Sequence, residues 1–266
     1  MTNTGAALIT GASTGLGAVY ADRLARRGYN LVLVARDAAR MEALAGKLRG
    51  ETGVEIEVLP ADLTDRADVA RIENRLAADP AITMLVNNAG MSLNKGLLDS
   101  ETSQIEQLIA LNITAPTLLA SAAGNAFVAR GTGAIITISS VLALAPEAYD
   151  GVYSGSKVYV LNLSQSLASQ IEAKGVRVQA VLPGATRTEI WERAGRDVNE
   201  LDPNMVMDVD DLVDAALAGF HQGELITIPS LPDAADFAAY DAARAKLLPN
   251  LSRNRSAARY KVGEPA

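Results

Sequence analysis

Runs of four to seven apolar residues recur along the chain, and each is followed by a longer stretch with apolar positions every three or four residues. The first run, residues 6–10, leads into a glycine-rich turn and a helix that reaches about Arg27. Residues 31–35 form a second strand, followed by a helix over 38–49; residues 54–59 form a third, followed by a helix over 65–78. A fourth strand at 82–86 precedes a long helical region over 103–130, and a fifth at 134–138 precedes another long helix over 151–173. The sixth strand covers 176–182; after a loop-rich segment, a helix over 209–220 leads to a seventh strand at 225–228. This alternation predicts an α/β fold, a doubly wound parallel sheet of about seven strands with helices on both faces.

The short connections leave no linker, so residues 1–266 read as one domain. Residues 229–266 differ in character: two prolines, a helix over 234–248, Pro249, and a tail with Arg253, Arg255, Arg259 and Lys261. They read as a C-terminal helical extension, solvated or docked on another subunit. Composition narrows the function. With 49% apolar and 21% charged residues the chain has material for a core and is not disordered. A net charge of −7 offers nothing to a polyanion, so no nucleic-acid partner is expected. There is no cysteine and a single histidine, His221, which excludes disulfides, thiolate chemistry and a Cys/His zinc site. Residues 1–5 lack the features of a signal peptide, and the apolar runs are strand-sized, so the expectation is a cytoplasmic protein without a membrane partner.

Candidate chemistry begins at the first turn, Thr10-Gly11-Ala12-Ser13-Thr14-Gly15-Leu16-Gly17. Glycines between a strand and a helix let the backbone approach a pyrophosphate, and the helix start presents free N–H groups to it. The alternative is a plain glycine-rich turn, since such a motif needs context. Arg36 follows the second strand and Arg40 lies one turn later. An acidic residue there would bind both ribose hydroxyls of NAD; guanidiniums suit the 2′-phosphate of NADP(H). Asp37 beside them, or an ordinary solvated arginine pair, is the competing reading. Asp62 and Leu63 after the third strand are candidate adenine contacts. Asn87-Asn88-Ala89-Gly90 after the fourth can hold the sheet and let a cofactor approach, or form a simple turn. All these signals sit at the C-terminal ends of strands, where ligands bind in open α/β sheets.

Tyr153 and Lys157 are four residues apart and share one helical face. Ser140 lies thirteen residues before Tyr153, just after the fifth strand, and Asn112 sits in the preceding long helix. With the glycine turn, Asp62, Asn87-Asn88-Ala89-Gly90, Ser139-Ser140, and Pro183-Gly184 with Thr188, these residues resemble the short-chain dehydrogenase/reductase family, in its compact single-domain branch. The resemblance covers residues 6–230, and Arg36 with Arg40 resembles its NADP-preferring members. It implies a Rossmann-type fold binding NADP(H). The cofactor set is Gly11, Ser13, Thr14, Gly15, Leu16, Gly17, Arg36, Arg40, Asp62, Leu63, Asn88, Ala89, Gly90, Tyr153, Lys157, Pro183, Gly184, Thr186 and Thr188. The long C-terminal extension departs from the family and sets its common tetramer in doubt.

The chemistry so implied is hydride transfer between nicotinamide and a carbonyl or alcohol. Tyr153 is the acid/base; a free phenol, at a reference pKa of about 10, is too weak a base, and the Lys157 ammonium one turn away favours the phenolate. Ser140 donates to the substrate oxygen, chosen over Ser139 by the family's spacing. By the same resemblance Asn112 holds a water linking Lys157 to solvent, and Thr188 binds the nicotinamide amide. Carbon–carbon double-bond reduction and a non-catalytic NADP-binding sensor or scaffold are the rival functions. Pocket walls are expected from residues 91–98, 141–150 and 185–207, including Leu142, Leu144, Tyr149, Trp191, Met205 and Met207 with Glu147 and Glu189. That mixture suits an apolar carbonyl compound. Residues 113–126 carry no charge, so the two long helices are expected to pack on their copies in a homodimer.

Overall fold

Each apolar run of the sequence becomes a strand of one sheet. The computed structural model describes residues 4–93, 95–148 and 151–260. The first half comprises β1 (Ala6–Thr10), α1 (Gly15–Arg26), β2 (Asn30–Ala35), α2 (Ala38–Thr52), β3 (Ile56–Pro60), α3 (Arg66–Ala78) and β4 (Ile82–Asn87). Then come α4 (Thr102–Ile109), α5 (Ala115–Arg130), β5 (Gly133–Ile138), α6 (Gly151–Ile171), β6 (Val176–Val181), α7 (Ile190–Arg193), α8 (Val209–Gln222), β7 (Ile226–Thr227) and α9 (Ala234–Ala245).

The sheet has seven strands in the order β3-β2-β1-β4-β5-β6-β7, and every pairing is parallel. The chain winds outward from β1 to β3, then crosses to lay β4 on the other side of β1. This is the Rossmann-type arrangement, and the reversal opens a crevice at the carboxyl ends of β1 and β4. Successive side chains of a strand face opposite ways. Ala7 and Ile9 therefore join one core layer with Tyr20, Leu24, Met41 and Leu217, under α1, α2 and α8. Leu8 joins the other, with Ile72, Leu119 and Phe127, under α3, α5 and α6. Pro60, which cannot donate to a ladder, stands at the end of the edge strand β3.

Four elements differ from their sequence expectation. The helical region over 103–130 is divided by a π turn at Ala110–Thr114. Thr102–Arg130 as a whole is nevertheless long and apolar enough to cross a membrane by length and composition, unlike the strand-sized runs expected; here α5 packs on α3, α6, β4 and β5. β3 starts at Ile56 because α2 runs on to Thr52 and ends on Gly53, which is left-handed at φ 74°. β7 keeps only Ile226 and Thr227, since only those two residues pair with β6. The helix expected over 234–248 ends at Ala245, and Pro249 lies in a separate turn, Leu248–Asn250, in keeping with the bias against helix before proline.

The chain divides into a body through Ser230 and a second compact unit from Leu231. The second unit consists of α9 and two short turns, and no residue of α9 is buried.

Tyr20 is fully buried in the first layer, and its hydroxyl has no hydrogen-bond partner among the described residues. Burial pushes its ionisation far above the usual phenol range, so the group is a neutral polar atom in an apolar site. An unsatisfied buried hydroxyl costs about 1–3 kcal/mol. Tyr20→Phe is therefore expected to leave stability unchanged or raise it by about 1 kcal/mol in urea unfolding; a loss of stability would mean the hydroxyl is satisfied.

Candidate active site

Strands β1 and β4 end side by side, and their last residues tie them together. Thr10 Oγ1 donates to the Val86 carbonyl at 3.3 Å and accepts from the Asn88 and Ala89 N–H groups at 2.9 and 3.0 Å. Asn88 Nδ2 donates back to the Thr10 and Gly11 carbonyls at 2.9 and 3.3 Å. The side chain of Asn88 is thus spent on holding the crevice in shape, while Asn87 is buried and donates to the Pro116 carbonyl of α5 at 3.1 Å.

The glycine turn fits against this seam. Gly11 has φ +66°, and a Cβ there would meet Asn88 Nδ2 at 2.7 Å. A Cβ on Gly17 would meet the Gly11 carbonyl oxygen at 2.3 Å, so only glycine lets α1 start this close to the turn. Thr14 is the N-cap of α1 but its side chain makes no capping bond, and the first turn holds no acidic residue. The helix start therefore keeps its N–H groups and positive dipole end for an anion, which is what a pyrophosphate requires. Thr188, after β6, lies beside Gly15, its methyl 3.5 Å from where a Cβ would stand.

One oxygen of Asp62 shapes the local turn. Its Oδ1 accepts from the Thr64 N–H and hydroxyl at 2.9 and 2.8 Å, shaping the turn after β3. Leu63 is buried in the second core layer. Arg36 is exposed, with no ion pair among the described residues. Arg40, by contrast, is engaged: its Nη1 donates to both Glu189 oxygens at 3.0 and 2.9 Å, and its Nε lies 3.5 Å from Asp37.

Tyr153, Lys157 and Asn112 come together where α6 and the π turn meet, and Ser140 follows β5, two residues after the Ile138 carbonyl that Lys157 binds. Lys157 is buried, and its Nζ donates to the Ile138 carbonyl at 3.1 Å and stands 5.4 Å from the centre of the Tyr153 ring. Burial lowers its pKa to about 8. A Cβ on Gly90 would lie 3.6 Å from this ammonium and 3.4 Å from Asn112 Oδ1, so a side chain there would cover both. Ser140 Oγ donates to the Pro183 carbonyl at 3.4 Å and accepts from Leu142 N–H at 3.2 Å; both contacts are long, so the hydroxyl is weakly held. Thr186, buried, donates to the Gly184 carbonyl at 3.0 Å.

The Asn112 side chain is engaged by protein groups. Its amide clamps the backbone of Met91, accepting from Met91 N–H at 2.9 Å and donating to Met91 C=O at 2.8 Å, and donates to Ser156 Oγ at 3.1 Å. The π turn brings this amide to bear on the loop after β4; π turns inside α-helices are frequent at functional sites. Ser156 in turn donates to the Tyr153 carbonyl at 2.6 Å, and Ser139 donates to the Lys157 carbonyl at 2.7 Å, pinning α6 to β5. Thr10, Met91, Ser139 and Ser156 support the site through bonds that the sequence does not show. Only the adjacency of Ser139 to Ser140 and of Ser156 to Lys157 signals them.

Of the expected walls, Leu142, Leu144 and Trp191 are half-buried, Glu147 and Met205 are exposed, and Tyr149 lies outside the described residues. Met207 packs on the first core layer and so serves as an anchor. Trp191 donates from Nε1 to the Thr186 carbonyl at 2.8 Å. With Gly15, Ala18 and Thr188 it lines a cavity of about 480 Å³ beside the start of α1, to which Ser140, Tyr153 and Lys157 contribute nothing. Among the described residues no cluster of His, Asp or Glu could hold a metal.

The family model for short chain dehydrogenases matches residues 5–199, and the chain belongs to that family of oxidoreductases. Its structure is similar to that of a short-chain dehydrogenase from Sphingobium yanoikuyae solved in complex with NADPH. The two are 52% identical, with a TM-score of 0.94 over 97% of this chain and 100% of that one. It is also similar to the bulky-bulky ketone specific alcohol dehydrogenase from Comamonas testosteroni, at 47% identity and a TM-score of 0.91 over 98% of this chain and 100% of that one. A very-long-chain 3-oxoacyl-CoA reductase of Podospora anserina is 35% identical over 181 residues, and 17-beta-hydroxysteroid dehydrogenase type 3 of Homo sapiens is 36% identical over 196. These matches cover 66% and 72% of this chain but only 53% and 62% of the two relatives, so the chain spans little more than half the length of such proteins.

Removing the Asn112 amide leaves both Met91 backbone groups without their partner. Asn112→Ala is expected to cost about 1–3 kcal/mol of stability in urea unfolding. Asn112→Asp keeps an acceptor for the Met91 N–H yet turns a second oxygen on the Met91 carbonyl, so it should not restore that stability.

Proposed function

We propose that this protein is an NADP(H)-dependent oxidoreductase that interconverts a ketone and its alcohol, with Tyr153 as general acid/base. The observation that carries the reading is the buried Lys157 ammonium beside the Tyr153 ring. A positive charge in a poorly solvated site favours the phenolate over the phenol. Such a pair has no structural purpose that a neutral pair would not serve at lower desolvation cost.

The bound cofactor supplies or accepts the hydride. The residues of this chain hold it: the N–H groups at the start of α1 receive the pyrophosphate, and Arg36 meets the 2′-phosphate. Asp62 and Leu63 border the adenine, with Asp62 acting through the turn it shapes. Lys157 binds ribose hydroxyls with N–H groups not engaged by Ile138. Thr188, with the backbone of 183–186, orients the nicotinamide amide. The Ser140 hydroxyl donates to the substrate oxygen as charge develops there. In reduction Tyr153 delivers its proton to that oxygen, and in oxidation it takes the proton back. Asn112 is a positioning residue, acting through Met91 and Ser156.

The substrate is an apolar ketone or secondary alcohol. Leu98 and Met205, 96% and 67% exposed, lie in the segments expected to wall the pocket. The similarity to a bulky-bulky ketone specific alcohol dehydrogenase and to an NADPH complex supports the same substrate and cofactor. A homodimer through α5 and α6 is the assembly that fits best. Between these helices runs an outward groove of about 330 Å³ lined by Thr117, Ser121, Leu163 and Leu167. Light scattering at micromolar concentration should give twice the chain mass; a monomer would refute the pairing.

Tyr153→Phe should leave NADPH binding intact and lower single-turnover ketone reduction by about 10²–10⁴. Near-native turnover would place the acid elsewhere. Lys157→Met should weaken cofactor binding as well as turnover. The wild-type cofactor affinity should itself depend on pH. With a pKa of about 8, Lys157 is an ammonium below that pH and a neutral amine above it. NADPH affinity should therefore be flat from about pH 7 and fall as pH rises through about 8, and Lys157→Met should abolish that fall.

A further inference from the structure

The segment after β6 is tied by charge to the far side of the glycine turn. Glu189 accepts from Arg40 through both its oxygens, and its Oε2 also accepts from Arg193 Nη2 at 2.8 Å. Arg193 Nη2 stands 3.5 Å from Thr14 Oγ1. One carboxylate thus links the first turn of α2 to a segment 149 residues later, across the mouth of the crevice. Hydrogen bonding from Arg40, and then from Arg193, holds the Glu189 carboxyl below the usual range against the opposing effect of burial, so it is ionised at neutral pH.

We propose that Glu189 is a specificity-determining residue for the coenzyme: its carboxylate competes with the 2′-phosphate of NADP(H) for Arg40 and so limits the preference for NADP(H) over NAD(H). The inference rests on the NADP(H) reading above. Two guanidiniums, Arg40 and Arg193, meet two carboxylates here, Asp37 and Glu189, while Arg36 stays outside these pairs. Asp37 has a backbone duty, capping α2 by accepting from the Arg40 N–H at 3.0 Å. Glu189 has none: it is the N-cap of α7 but makes no side-chain capping bond. The Arg40 and Glu189 side chains are 50% and 39% exposed. An exposed pair of this kind is worth only about 0.2–1 kcal/mol and is screened by salt, so it exchanges readily. A phosphate carries more charge and more acceptor oxygens than a carboxylate and displaces it from a guanidinium. NADPH must break the Arg40–Glu189 pair to gain that contact; NADH, without the phosphate, leaves it in place.

The test is fluorescence titration of NADPH and NADH with the wild type, Glu189→Gln, Arg40→Gln, the double variant and Arg36→Asp. Glu189→Gln should raise the ratio of NADH to NADPH dissociation constants by about two- to fivefold, mainly through tighter NADPH binding. The rise should shrink in 0.5 M salt, as about 10 Å screening at 0.1 M contracts, and should disappear in the Arg40→Gln background. An unchanged or lower ratio in Glu189→Gln, or an equal rise without Arg40, overturns the proposal. If Arg36→Asp abolishes the preference for NADPH while Glu189→Gln leaves it unmoved, the cofactor reading stands and this inference falls. If the wild type shows no preference and Arg36→Asp changes nothing, both fall.

Discussion

Thr10 and Asn88 hold the ends of β1 and β4 in register through a hydroxyl and an amide that bond only to backbone. Everything at the site is placed from this seam. Parallel strands on either side of a topological reversal send their connections in opposite directions, so the crevice between them is not covered by a crossover. Its floor must then be held by side chains. The glycine turn can approach because Gly11 and Gly17 leave room against Asn88 and against each other. Gly90, on the other side, stays thin enough for Lys157 and Asn112 to lie beneath it.

Lys157 is the costliest element of that arrangement. A buried ammonium loses hydration, and the depression of its pKa records that loss. The protein holds it from behind: Ser139 ties its backbone to the end of β5, the Ile138 carbonyl accepts a hydrogen bond from its ammonium, and Ser156 joins its helix to Asn112. These bonds lie among buried or half-buried groups, where a hydrogen bond is strong and a missing one is expensive. The inner site is therefore stiff.

The mouth is built on the opposite principle. Arg40, Glu189, Arg193 and Asp37 are about half exposed, their pairs are screened, and Arg40 and Glu189 each have two partners. Such contacts give way to a ligand of higher charge at small cost. On the proposed reading, a stiff chemical centre under a charged and exchangeable rim lets affinity for the coenzyme be adjusted without disturbing the reacting groups.

Much of this was legible in the sequence. All seven strands begin within about two residues of their apolar runs, because a strand buried on both faces must be continuously apolar. The glycine turn and the Tyr153/Lys157 pair are local patterns, carried by residues within one turn or helix, and could be read as such. What depended on distance could not. The amide of Asn112 meets Met91, 21 residues away, only because a π turn forms in the helix that carries it, and no spacing in the sequence marks that turn. That the Asn88 amide is spent on the Thr10 and Gly11 carbonyls shows only once β1 is laid beside β4. Arg40 looks free until the segment after β6 brings Glu189 to it. Local periodicity and composition determine the elements and their order, since these follow from burial and backbone geometry residue by residue. Which polar groups are left for a ligand was decided by tertiary structure, because a hydrogen-bonding group is available only when no partner from elsewhere in the chain has reached it first.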